Sequence, residues 1–149
     1  MAGNRTLGWS LLNTAANDLI PPWFGVYLPQ VRMDFETLCE RTLAAEAAGF
    51  DSVWLMDHLV APLDPDLDTL EAWTTAAALA ARTSRIRIGH LVLCDPFRHP
   101  AVLAKMAATL DVVSNGRLEL GLGWGSVPDE LQTFGFGAEP AAQIGRAHV

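Results

Sequence analysis

The sequence predicts an α/β fold wound from repeated strand-helix units whose strands run parallel. Three observations lead there. Apolar runs begin at Trp23, Ser52, Ile86 and Leu118, roughly thirty residues apart, the length of one βα unit. Each is followed by a stretch with the apolar spacing of a helix. The run Ser52 to Met56, bounded by Gly49 before and polar residues after, is continuously apolar from Val53 on, as strands of a covered parallel sheet are. Doubly wound sheets and closed barrels both produce this pattern, and periodicity does not separate them. A closed eight-fold barrel takes about 250 residues, so four units would be its first half.

The elements follow in order. Met1 to Pro22 is expected to be a leader or a misplaced start: its apolar residues around Leu11 and Leu12 are interrupted by Asn13, Asn17 and Asp18, a poor signal peptide and too short to span a bilayer. Trp23 to Leu28 is apolar and aromatic, and Pro29 ends this first strand. Asp34 caps a helix in which Phe35, Leu38, Cys39, Thr42 and Leu43 recur at helical spacing up to Gly49, with Cys39 on the buried face. The second strand ends at Asp57 and His58. An alanine-rich helix is expected over Leu70 to Ala81. Ile86 to Leu93 reads as the third strand, with Gly89 and His90 inside it. His99 and Pro100 open the third helix, because proline at the first helical position gives up a donor with no partner. Ser114, Asn115 and Gly116 close it in a left-handed turn. Leu118 to Leu122 is the fourth strand, and Ser126, Pro128 and Asp129 suggest a capping box for a fourth helix.

Composition narrows the partner. A net charge of -7 and a pI near 4.9 argue against nucleic acid and anionic membranes, which attract basic patches, and leave a small molecule as the expected partner. Cys39 and Cys94 are too few for a disulfide framework and lack metal-site spacing, which fits a reducing cytoplasm and no metal.

The carboxyl ends of parallel strands are where loops converge and sites are built. Asp57 and His58 stand at such an end, and histidine is the residue type most often used to move protons near neutral pH. The plainer possibility, a histidine that caps or solvates its loop, stays open. Gly121, Gly123 and Gly125 alternate at the end of the fourth strand without the Gly-x-Gly-x-x-Gly order of a dinucleotide site, so they read as places where a ligand or another backbone comes close. Trp124 between them offers a flat apolar face or a plain rim contact.

Taken together, Gly25 to Gln30, Ala44 to His58, Arg87 through Asp111 with Arg98, His99 and Pro100, and Gly116 to Gly125 resemble the luciferase-like monooxygenase family, particularly its coenzyme F-420-dependent branch. The resemblance covers nearly everything from Trp23 to Phe136. It implies an α/β TIM barrel, (β/α)8, truncated here to about its first four units over residues 23–143, binding coenzyme F-420 or, as the alternative, FMN at its carboxyl face. It implies catalytic roles for His58, near the reactive ring, and Asp57. It places Leu91 and Val92 where many members carry a non-prolyl cis peptide, and Cys94 near the cofactor, where it could equally be a small buried side chain. Gly123, Trp124 and Gly125 complete the expected cofactor wall. The sugar-phosphate dehydrogenase branch carries an acid where Ser126 stands and a tryptophan where Pro62 stands, which speaks against that substrate. Asp111 and Arg117, at the opposite end of the barrel, read as structural.

The expected function is a flavin- or deazaflavin-dependent oxidoreductase acting on a small organic substrate by hydride transfer or monooxygenation. A flavin-binding protein without turnover and an inert fragment are the alternatives. A homodimer is an open expectation for the full-length protein. The last six residues, Ile144 to Val149, resemble one reading frame of a common sequencing adapter and are expected to be a non-native tail.

Overall fold

The computed structural model describes residues 22–136. The expected leader, Pro22 apart, and the expected tail over residues 144–149 lie outside them. The described elements are β1 (Gly25–Tyr27), α1 (Phe35–Ala48), β2 (Ser52–Leu55), α2 (Ala72–Arg82), β3 (Arg87–His90), β4 (Leu93–Cys94), a 3-10 turn (Asp95–Phe97), α3 (Pro100–Ser114), β5 (Leu118–Glu119), β6 (Leu122–Gly123) and α4 (Pro128–Thr133). No described helix is long and apolar enough to cross a membrane.

Four strands form one parallel sheet in the order β1-β2-β3-β5, with Val26 opposite Val53, Val53 opposite Ile88, and Ile88 opposite Leu118. The order follows the chain without reversal. Helices α1, α2 and α3 pack on one face only, where Leu38, Val53, Leu55, Trp73, Leu79, Ile88, Leu103 and Leu110 make a continuous core. A doubly wound sheet reverses its order and carries helices on both faces. Sequential order with helices on one side is the winding of a barrel wall, which decides the question that periodicity left open.

The face away from the helices carries Trp54, whose indole lies across Gly25 and Gly89 and donates from Nε1 to Ser52 Oγ at 2.9 Å. A Cβ at Gly89 would come within 2.6 Å of that ring, so only glycine fits. Beside it, Arg87 pairs with Glu119. Trp23, Phe24 and Tyr27 are exposed.

The helix ends match their chemistry. Asp34 Oδ1 accepts from Thr37 N at 2.7 Å, Gly49 closes α1 at φ +91°, and His99 caps α3 ahead of Pro100. Asn115 and Gly116 both take positive φ after α3. Helix α2 starts two residues later than expected because Glu71 caps it, accepting from Trp73 N and Thr74 N. Leu43, expected inside, is exposed, and Ala45 takes the buried position.

Two expected strands are each broken in two. The third stops at His90 and resumes at Leu93 after a cis peptide between Leu91 and Val92; the fourth stops at Glu119 and resumes at Leu122. The resumed pieces, β4 and β6, pair with each other in parallel, and Leu93 N donates to Gly121 O at 2.8 Å. A Cβ at Gly121 would lie 2.4 Å from His90 O, so glycine is what lets the two segments cross this closely.

Candidate functional site

At the carboxyl ends of these strands lies a cleft of about 280 Å³. Met56, Asp57 and His58 follow β2, Leu91 and Val92 form the β3-β4 junction, Cys94 ends β4, Gly123 ends β6, and Trp124 and Gly125 follow it; Tyr27, Ser126 and Glu130 complete the main walls. All eight residues singled out from the sequence therefore meet in one place. Its walls divide by chemistry: Leu91, Val92 and Trp124 are apolar, while His58, Ser126 and Glu130 form a polar edge.

The end of β2 is held from two sides. Gln30 is fully buried, and its amide mimics a strand: Nε2 donates to Met56 O at 2.6 Å and Oε1 accepts from Met56 N at 3.2 Å. One residue on, Asp57 Oδ2 accepts from Cys94 N at 2.8 Å and from Arg98 Nη1 at 2.5 Å, while Oδ1 accepts from Arg98 Nη2 at 3.0 Å. Nη2 also donates to Glu71 Oε1 at 2.6 Å. Burial opposes the charge on Arg98, but the hydrogen bonds and charge of Asp57, then those of Glu71, outweigh it and raise the guanidinium above its ordinary value. Both oxygens of Asp57 are thus committed to this chain. They join β2 to β4 and, through Arg98, to Glu71 at the start of α2.

His58 is placed differently. Its Nδ1 lies 2.8 Å from Glu130 Oε2, and Glu130 Oε1 accepts from Leu59 N at 2.6 Å and Val60 N at 3.3 Å. Among the described residues Nε2 has no hydrogen-bond partner, and the ring borders the cleft. Cys94 is nearly buried; desolvation, reinforced by the charge of Asp57, pushes its thiol up to about 11, so it presents a neutral S–H.

The glycines have a more local reason than expected. A Cβ on Gly123 would lie 2.4 Å from Val92 Cγ2, and one on Gly125, at φ +98°, would lie 3.0 Å from Cys94 Sγ. What approaches them is this chain's own side chains, and their bare backbone still lines the cleft. The capping box does not form: Val127 occupies the cap position without a side-chain bond, and Ser126 is exposed.

Arg117 lies away from the cleft, as expected. It donates to the carbonyls of Ala80, Thr83, Ile86 and Ser114 and to Thr83 Oγ1, at 2.6 to 3.2 Å. Its positive charge sits among the carboxyl ends of α2 and α3, where helix dipoles are negative.

The sequence reading missed Glu130 and saw Gln30 and Arg98 only as parts of motifs. Glu130 stands beside exposed Asp129 in a six-residue helix, and nothing local marks one acid as buried. The Arg-His-Pro run before α3 was the available signal for Arg98.

Residues 7–148 match the luciferase-like monooxygenases. The chain belongs to that family. This luciferase-like chain is 39% identical over 99 residues to an F-420-dependent glucose-6-phosphate dehydrogenase of Amycolatopsis mediterranei, covering 66% of this chain and 30% of that protein. It is 37% identical over 115 residues to an F-420-dependent hydroxymycolic acid dehydrogenase of Mycobacterium tuberculosis, covering 74% and 32%. Among solved structures it resembles a type II Baeyer-Villiger monooxygenase from Pseudomonas putida, the oxygenating constituent of 3,6-diketocamphane monooxygenase, in complex with FMN. That likeness has a TM-score of 0.65 at 25% identity and covers 82% of this chain and 34% of the other. The luciferase-like chain spans about a third of the length of these relatives.

Proposed function

We propose that residues 23–143 are the N-terminal half of a flavin- or deazaflavin-dependent oxidoreductase that acts on a small organic substrate, with coenzyme F-420 as preferred cofactor and FMN as the alternative. The observation that carries this reading is the cleft at the carboxyl edge of a barrel-type sheet, lined by apolar residues and by His58, whose Nε2 has no hydrogen-bond partner among the described residues. A flat ring with polar atoms along one edge fits walls of this division: Leu91, Val92 and Trp124 would meet its faces and the bare backbone at Gly123 and Gly125 its rim. The cleft contains no lysine or arginine among its described lining residues, so it suits a ring rather than a phosphate. When bound, the ring supplies a two-electron acceptor for hydride, or a site for oxygen chemistry in the FMN alternative. In the hydride-transfer reading His58 Nε2 would take the proton of a substrate hydroxyl. Asp57 and Arg98 hold the strand ends, and Cys94 contributes a small uncharged contact. A cytoplasmic setting, a small-molecule partner and no nucleic acid or membrane complete the proposal; sugar-phosphate oxidation is disfavoured by Ser126 and Pro62.

Titrating the full-length apoprotein with each cofactor tests the assignment. Tighter binding of F-420 is expected, and tighter FMN binding would move the protein to the oxygen-activating branch. His58→Ala should lower turnover by roughly a hundredfold while leaving cofactor binding nearly intact. Unchanged turnover would remove His58 from the reaction.

A further inference from the structure

We propose that Glu130 is a positioning residue that fixes which nitrogen of His58 carries the proton, so that the side chain at position 130 decides whether the histidine offers the cleft an acceptor or a donor. The inference rests on the reading of this cleft as the reaction site, but its primary readout needs neither cofactor nor substrate.

Glu130 is buried, with a side chain 5% exposed, and every described partner of its carboxylate lies in the loop after β2. An ionised carboxylate only accepts hydrogen bonds, and a backbone N–H only donates. Leu59 N and Val60 N therefore hold Oε1, and Oε2 can bond Nδ1 only if Nδ1 carries a hydrogen. The neutral imidazole is then the Nδ1–H tautomer, and Nε2 is left as a bare acceptor beside the cleft. The two N–H groups also stop the carboxylate from swinging away, since doing so would strand them partly buried.

Glutamine at this position has the same shape but opposite ends. Leu59 N and Val60 N still require an oxygen, which places the amide oxygen where Oε1 was and turns the NH2 group toward Nδ1. An NH2 group donates, so Nδ1 must accept and the ring hydrogen moves to Nε2. Glu130→Gln thus keeps the packing and the number of hydrogen bonds while inverting the tautomer. An Nε2 that already carries hydrogen cannot take a proton from a substrate hydroxyl.

The test is a long-range proton-nitrogen correlation spectrum of the full-length protein labelled with 15N-histidine, recorded at a pH where the imidazole is neutral. The expected result is a protonated Nδ1 and an unprotonated Nε2 for His58, exchanged in Glu130→Gln, with turnover reduced about a hundredfold. A wild-type His58 protonated on Nε2, or a Glu130→Gln spectrum with the wild-type tautomer, overturns the proposal. Should Glu130→Gln fail to fold, the wild-type spectrum decides by the same criterion. Inversion of the tautomer with unchanged turnover would uphold the role of Glu130 and instead overturn His58 as the proton acceptor of the reaction.

Discussion

Arg98 grips Asp57 as a two-pronged fork, Nη1 to Oδ2 at 2.5 Å and Nη2 to Oδ1 at 3.0 Å. The aspartate side chain is 2% exposed and the arginine 12%, so removing one partner leaves a charge that water cannot reach. Arg98→Ala should cost about 3 to 5 kcal/mol in the full-length protein, measured by urea unfolding. Arg98→Lys should recover only part of this, because a single ammonium cannot bridge both oxygens and Glu71. A loss below about 1 kcal/mol would mean the pair behaves as an exposed one.

Arg117 has no carboxylate partner among the described residues and neutralises helix ends instead. Arg117→Met should cost about 3 kcal/mol, since several buried carbonyls lose a charged donor. Cofactor binding should be almost unchanged, as the residue lies away from the cleft. A large loss of binding in a variant that still unfolds cooperatively would contradict that separation.

Cys94 is held as a thiol. With its pKa near 11, its reaction with iodoacetamide should be slow at pH 7 and climb about tenfold per pH unit up to that value. Rapid labelling at neutral pH in the folded protein would show that the thiolate is accessible after all.

His90 is fully buried, stacks on Trp73 at 5.3 Å, and has no partner for Nδ1. Desolvation lowers its pKa; the Ala72 carbonyl, Asp57 and Glu71 work the other way, and Arg98 adds to the lowering. Below the unfolded value, about 6.5, the unfolded chain binds a proton that the native state refuses, so stability falls as pH drops toward the lower folded value. His90→Phe keeps a ring against Trp73 and removes this titration. From pH 7 to 5 the variant should lose stability less steeply than wild type, by at most about 1.4 kcal/mol per pH unit. Parallel stability curves would take His90 out of the acid response.

Much of the site was legible because strand ends are local features. Asp57 and His58 announce themselves by position after an apolar run, and Asp34, Gly49 and His99 by their capping chemistry, whereas Cys94 was marked only by the family resemblance. The breaks inside the third and fourth strands were not legible, because they arise where two segments cross: Gly121 against His90, and Gly123 against Val92. The roles of Asp57 and Glu130 were hidden for the same reason. Asp57 is taken up by an arginine 41 residues away, and His58 is met by an acid 72 residues on. No pattern within one element reports which distant group will satisfy it.

That separation of 72 residues also sets an order in time. On a ribosome adding about 5 to 20 residues per second, His58 is made roughly 4 to 14 seconds before Glu130. Through that interval the loop after β2 has nothing to seat Leu59 and Val60, and the imidazole can exchange its proton between both nitrogens. The histidine acquires its carboxylate partner only when the fourth unit arrives, so this one contact of the loop waits on a segment made much later.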